Sequence, residues 1–379
     1  MNGAREQGYQ KSEVGLPWQH GTKARQIEAR LPFPAGSGEG VGKIVGSAFA
    51  EVLAGCGAFE WVALGYLALS SVLIVIFSQN LAHPLRLLSV QALVGCMIVA
   101  LCRAEANVWS GTPKSRIEEF GIGSGTLTQR FWHFWRHWYP HLFFLFCFEE
   151  LGALVHLVSP RWQDAKLIAF DHWLTGVHPA IWLEQFATPG RNEFMQFAYL
   201  TYFVYMLVLG GILYYREDWH GYWSVMTYSA VAYAIGYVIA IFFPIESPWF
   251  AMAGSWHGPL HGGPFTAAIN FIEHYGRVRG AAFPSEHVAG SFAALWGAWR
   301  HRRWLFWVML PLVLCMCVST VWGRYHYAAD VFGGMVTGTL GYLIGTRLMK
   351  RRGAVEFREP CPGPAPSPGF FTSVHSKGT

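Results

Sequence analysis

Residues 304–322 read WLFWVMLPLVLCMCVSTVW, and the octet Gly323-Arg324-Tyr325-His326-Tyr327-Ala328-Ala329-Asp330 separates them from a second apolar run that ends near residue 349. As a helix, the first run rises about 28 Å, close to the ~30 Å hydrocarbon thickness of a bilayer. Two such runs cannot pack into a soluble core of this size without leaving apolar faces in water. The octet therefore lies where two membrane helices meet the interface, and it concentrates a cation, an imidazole and a carboxylate there.

Similar apolar runs recur at about 60–80, 86–103, 138–158, 196–215, 222–244 and 285–302, which with 304–322 and 329–349 make eight predicted crossings. The predicted fold class is all-α, a polytopic membrane helix bundle. Composition agrees: the chain is 53% hydrophobic and 13% charged, too little polar surface for a soluble globule of 379 residues. A net charge of +5 could point to a polyanion, but Lys and Arg flank the apolar runs instead of forming a patch, which excludes nucleic acid as a partner. The seven cysteines lie mostly inside apolar runs without a CxxC pair and read as buried thiols. No stretch in the first fifty residues has the order of a cleavable signal peptide, so the first span is expected to serve as the targeting signal.

Five segments follow: a polar tail 1–52, two transmembrane helices in 53–105, a connection with an interfacial helix in 106–137, a catalytic membrane domain 138–352, and a Pro-rich disordered tail 353–379. Cations beside the spans gather on one side if every run crosses, notably Arg300, Arg302, Arg303, Arg347, Lys350, Arg351 and Arg352. By the positive-inside rule both termini are expected in the cytoplasm, of a plasma (inner) membrane, with the polar motifs on the extracytoplasmic face.

Two motifs open the last helices on that face. Phe283-Pro284-Ser285-Glu286-His287 precedes one, the octet ending in Asp330 precedes the other, and a tight turn at 300–303 folds the intervening helices into a hairpin that brings His287 and His326 to one end. Ser285 as an N-cap would gather a hydroxyl and free amides around an anion. His326 and Asp330, four residues apart, suit a nucleophilic imidazole oriented by a carboxylate, with His287 as acid and base. Arg324 supplies a bidentate donor for phosphate oxygens. The bland alternative for the pair is a capping Asp and an interfacial His.

Together, Pro-Ser-x-His at 284–287 and His-Tyr-x-x-Asp at 326–330 resemble the type 2 phosphatidic acid phosphatase superfamily. Within it they are similar to the branch of inositol phosphorylceramide and sphingomyelin synthases, the inositolphosphotransferase-like proteins. Phe170-Asp171-His172 through Gly176 and Pro179 resembles a segment that branch carries ahead of its core. The resemblance spans about residues 160–349. It implies a six-helix core behind two extra N-terminal helices, no cofactor and no metal, a His326 nucleophile oriented by Asp330, and His287 as acid. The sequence departs from the superfamily in three places. A first motif of Lys and Arg-Pro is replaced by Phe243-Pro244-Ile245-Glu246-Ser247-Pro248, Thr320 stands where an Arg is usual, and Glu286 separates Ser285 from His287. Arg277 and Arg279 are candidates to restore the positive charge.

The expected function is lipid phosphotransfer or phosphate hydrolysis through a phosphohistidine. The substrate would be a membrane phospholipid or lipid phosphate and the acceptor a lipid, another alcohol or water, with a sphingolipid- or inositol-type lipid favoured and a simple lipid phosphate phosphatase the near alternative. Two readings of another class compete. His133, His137 and His141 recur every four residues, as in a histidine-ligated di-iron or haem oxidoreductase, although Pro140 disturbs the face; the chain could also be a non-catalytic lipid-binding protein. Glu149 and Glu150, each costing roughly 2.5–3.5 kcal/mol at mid-bilayer, require at least one interior partner.

Overall fold

The helix starts follow from local capping chemistry. Thr126 accepts the amide of Gln129 and the Gln129 side chain accepts the amide of Thr126, a reciprocal box that starts a helix well before the apolar window begins. A computed structural model describes residues 55–108 and 125–356, with side chains as far as Arg351. Its long helices are α1 (Ala58–Ile76), α2 (Pro84–Val108), α3 (Leu127–Leu154), the consecutive α6 (Pro189–Leu200) and α7 (Tyr202–Tyr215), α8 (Trp219–Phe242), α11 (Glu286–His301), α12 (Arg303–Trp322) and α13 (Ala328–Glu356). Short helices α4 (Asp164–Thr175), α5 (Pro179–Glu184), α9 (Pro248–Ala251) and α10 (Pro264–Gly276) connect them. The readings of 1–52, of half of 106–137 and of 353–379, with Cys361, fall wholly or partly outside the described residues.

The chain is an all-α membrane helix bundle. Helices α1, α2, α6–α7, α8 and α12 are each long and apolar enough to cross a bilayer. The other three helices at predicted spans fall short on that measure for visible reasons: α3 carries histidines, Arg136 and two glutamates, α11 has only 16 residues, and α13 is interrupted by glycines. Helix α2 buries little of its apolar surface, with Leu85, Leu93 and Met97 facing outward, which suits contact with lipid tails. Helix α8 is the opposite case, apolar around its circumference and mostly enclosed by α1, α11 and α13.

Inside a membrane, helices gain nothing from excluding water against lipid, so close packing of small residues decides which faces meet. Helix α13 approaches α11 at Gly334 and Gly338, where an added Cβ would lie 2.5 Å from the Ser285 and Ala289 carbonyl oxygens. Those two glycines set the beginnings of α11 and α13 side by side. At the far end of α11, Arg302 pairs with Asp218 at 3.0 Å, and Asp218 caps α8 through the Gly221 amide. The α11–α12 hairpin is thereby tied at its turn. Glu150 finds its partner in Gln91 at 3.1 Å, while Glu149 lines a cavity. None of the six described cysteines forms a disulfide; Cys96 is exposed, against the expectation of burial, because it lies on the lipid-facing side of α2.

Candidate functional site

Ser285 caps α11, its Oγ accepting the Val288 amide at 3.4 Å, and its own amide donates to the Asp330 carbonyl at 3.0 Å. The second motif forms where α12 ends: the amides of Tyr325 and His326 both donate to the Thr320 carbonyl, and Arg324 takes a left-handed φ of 65°. These bonds fix the backbone of both motifs before any side chain is considered.

His326 Nδ1 lies 2.9 Å from the Ala282 carbonyl oxygen and 3.3 Å from Asp330 Oδ2. Both neighbours are acceptors, so the proton sits on Nδ1 and Nε2 carries the lone pair. Asp330 Oδ2 is itself held by the Tyr327 amide at 2.7 Å. His326 Nε2 faces His287 Nδ1 at 3.2 Å, and His287 Nε2 lies 2.8 Å from the Tyr199 hydroxyl, which lies 3.0 Å from Glu273 Oε1. A continuous chain of polar atoms thus runs from Asp330 to Glu273.

Counting protons along that chain restricts its state. Tyr199 has one hydrogen to give, and His287 must donate to the lone pair of His326. All contacts are satisfied at once in two ways: imidazolium at His287 with a Glu273 carboxylate, or neutral His287 with a protonated Glu273. The two differ only by a proton passed through Tyr199. The arrangement can hold a proton beside a nucleophilic nitrogen and exchange it with a carboxyl group nearer the surface.

A cavity of about 460 Å³ opens on the two histidines. Tyr199, Tyr202, Phe203, Met206, Tyr233 and Tyr237 give it a largely aromatic wall, and Arg277 and Glu286 also line it. Of the four groups expected to hold phosphate, only Arg277 borders this cavity; Ser285, Arg279 and Arg324 do not. Arg277 is braced by Glu273 and lies over the rings of Trp249, Phe250 and Tyr325. Arg279 is paired with Glu246, the residue standing where a first-motif cation was missing. Arg324 is turned elsewhere by its left-handed backbone: it donates to Glu184 of α5 at 2.9 Å and to the Gly258 carbonyl at 2.7 Å, and it stacks on Trp256. Burial pulls its guanidinium below the usual arginine range, and Glu184 opposes that pull.

Glu286 follows its helix position. Successive residues of a helix point about 100° apart, so its carboxylate is directed away from the Ser285 cap and packs against Gly236, where any Cβ would collide with it. Both Glu286 oxygens are buried and lack a hydrogen-bond partner among the described residues, and Asp330 Oδ1 is in the same position.

Four residues that sequence reasoning left without a role hold the site. Asp171 of α4 accepts the amides of Ala328 and Ala329, both at 2.9 Å, and so caps α13 just before Asp330. Asp164 accepts the Glu246 and Ser247 amides and the Tyr327 hydroxyl. Burial pushes both carboxyls upward, and these hydrogen bonds counter it. Tyr199 and Glu273 complete the polar chain. Asp171 lay within the stretch 170–179 quoted for its resemblance; the other three have no local signal, because each acts on a distant segment.

Residues 165–344 match the family model of the PAP2 superfamily, a stretch that takes in both motifs, α4 from its second residue and the elements between them. Neither curated proteins nor solved structures gave a match.

Proposed function

We propose that this integral membrane protein, whose residues 165–344 match the model of the PAP2 superfamily of lipid phosphatases and phosphotransferases, transfers a phospho-head group on a lipid through His326. The observation that carries the reading is the pair of imidazoles with His326 Nε2 available as a lone pair and a proton source beside it.

In the proposed reaction His326 Nε2 attacks phosphorus as the His287–His326 contact opens to admit the phosphate. The bond from phosphorus to the leaving oxygen breaks, and His287 gives that oxygen its proton. Asp330 and the Ala282 carbonyl hold Nδ1–H and stabilise the positive charge that develops on the ring. An acceptor hydroxyl then gives its proton to His287 and takes the phosphoryl or phosphodiester group from His326. Arg277 is the cation assigned to the non-bridging oxygens, and Tyr199 with Glu273 returns the proton between half-reactions. The reaction needs no metal at this site.

The favoured acceptor is an alcohol-bearing lipid or polyol instead of water, in keeping with the resemblance to sphingolipid and inositol-lipid synthases. Glu286 supports it: a buried carboxyl group in the cavity wall, with no partner for either oxygen among the described residues, would hydrogen-bond a hydroxyl of a bound acceptor. The apolar wall at Leu145, Phe148 and Phe203 suits an acyl chain. The test incubates purified protein with labelled phospholipids, with and without ceramide, diacylglycerol or inositol. A new phosphodiester supports a transferase, free phosphate alone assigns a phosphatase, and neither product rejects both.

A further inference from the structure

Among the described residues, Glu105 of α2 and His133 and His137 of α3 form one group whose donor atoms all lie within 4.8 Å of one another. The group is far from the histidine pair. His133 and His137 contact Trp219 at the start of α8, whereas the end of α8 leads to Ile245, which bridges to Ala281 beside the carbonyl that holds His326. The 24 residues of α8 separate the two places by about 35 Å.

We propose that Glu105, His133 and His137 bind a zinc ion that ties the two N-terminal helices to the core. His133 and His137 are one helical turn apart and share a face, with ring centroids 4.3 Å apart. His137 Nδ1 lies 2.8 Å from the His133 carbonyl oxygen, which places the proton on Nδ1 and the lone pair on Nε2, as a backbone partner does for metal-bound imidazoles. That Nε2 is buried without a hydrogen-bond partner, and His137 is only 3% exposed. Glu105 is prepared as well: Oε2 is held by Arg136 Nε at 3.3 Å, while Oε1 faces His133 Nδ1 at 3.4 Å. Glu105 is the most accessible of the three, which gives an ion a way in.

Charge favours a cation there in spite of Arg136. Glu60, fully buried, also takes that guanidinium at 2.7 Å, so two carboxylates face one arginine. Two imidazole nitrogens and a carboxylate oxygen form the three-ligand set of an open zinc site, with water in the fourth position. Tetrahedral coordination would draw the donors to roughly 3.4 Å from one another. His141 is outside the group: it stacks on Trp138 and borders the other cavity. This site is independent of the phosphotransfer reading, and its ion takes no part in that chemistry.

The test uses the full-length protein, purified without a histidine tag, dialysed against chelator and titrated with zinc alone. Elemental analysis and calorimetry should find one zinc per chain. Glu105→Gln and His137→Ala should each cut occupancy at least about tenfold, and His141→Ala should leave it unchanged. X-ray absorption of the loaded wild type, which requires no variant to fold, should report two imidazoles with oxygen ligands. Wild type that binds no zinc, an ion with sulfur ligands, or full occupancy in Glu105→Gln would each overturn the assignment.

Discussion

His287 Nδ1 and His326 Nε2 stand 3.2 Å apart, although 39 residues separate them in the chain. The contact makes each ring the other's partner until substrate arrives: the nucleophilic lone pair is capped by the proton that will later be spent on the leaving group.

Replacing either ring should therefore separate the two half-reactions. His326→Ala is expected to abolish turnover, whereas His287→Ala should slow it by about 10²–10⁴-fold, the usual contribution of one acid–base group. Leaving groups that need no protonation, such as a nitrophenyl ester of the lipid phosphate, should recover most of the His287→Ala loss in the first half-reaction, read as the burst of nitrophenol, but none of the loss in His326→Ala. Equal recovery in both would remove the distinction between nucleophile and acid.

Tyr199→Phe interrupts the chain between His287 and Glu273 with little change of shape. Turnover is expected to fall about tenfold with KM nearly constant, and Glu273→Gln should lower turnover alike while also raising KM, because it loosens the brace on Arg277. A rise in KM at constant kcat would instead mark Tyr199 as a packing residue, and steady-state kinetics decides between them.

Glu286→Gln keeps the volume but replaces one carboxyl oxygen with an amide NH2 and so changes which partners the buried end can take. Transfer to a hydroxyl acceptor should drop by about tenfold or more, as expected when a buried partner for a bound hydroxyl is spoiled, while release of free phosphate is little changed. Product ratios measured on one phospholipid with and without acceptor test this. A uniform loss of both products would mean that Glu286 acts on the fold.

Asp171→Ala removes the carboxylate that caps α13 through two amides. Charge-assisted bonds of this kind contribute about 1.5–3 kcal/mol, so thermal unfolding in detergent should shift downward and activity should fall with it. Asp171→Asn, which retains one acceptor oxygen, should recover part of each.

The helices and the reacting pair were legible in the chain for different reasons. Apolar runs of bilayer length marked the eight long helical segments, and the positions of His287 and His326 at the starts of α11 and α13 put both at one end. The start of α3 at Leu127 was missed because an apolar window cannot see a capping box, although Thr126 and Gln129 carry that signal. Arg324 was assigned to phosphate by its nearness to His326 in sequence, but one left-handed residue redirects its side chain to Glu184. Tyr199, Glu273 and Asp164 were illegible because their partners lie 74 to 163 residues away. Spacing discloses what a single helix start assembles, and says nothing of what a different segment delivers to it.

The most direct measurement is chemical. Wild-type protein mixed with a phospholipid labelled in its phosphate, quenched in base within one turnover and digested, should yield a peptide bearing an acid-labile, base-stable phosphoryl or phosphodiester group on His326, formed and consumed at rates no slower than turnover. Label on any other residue, or product formed at full rate with His326 never modified, would contradict transfer through this imidazole.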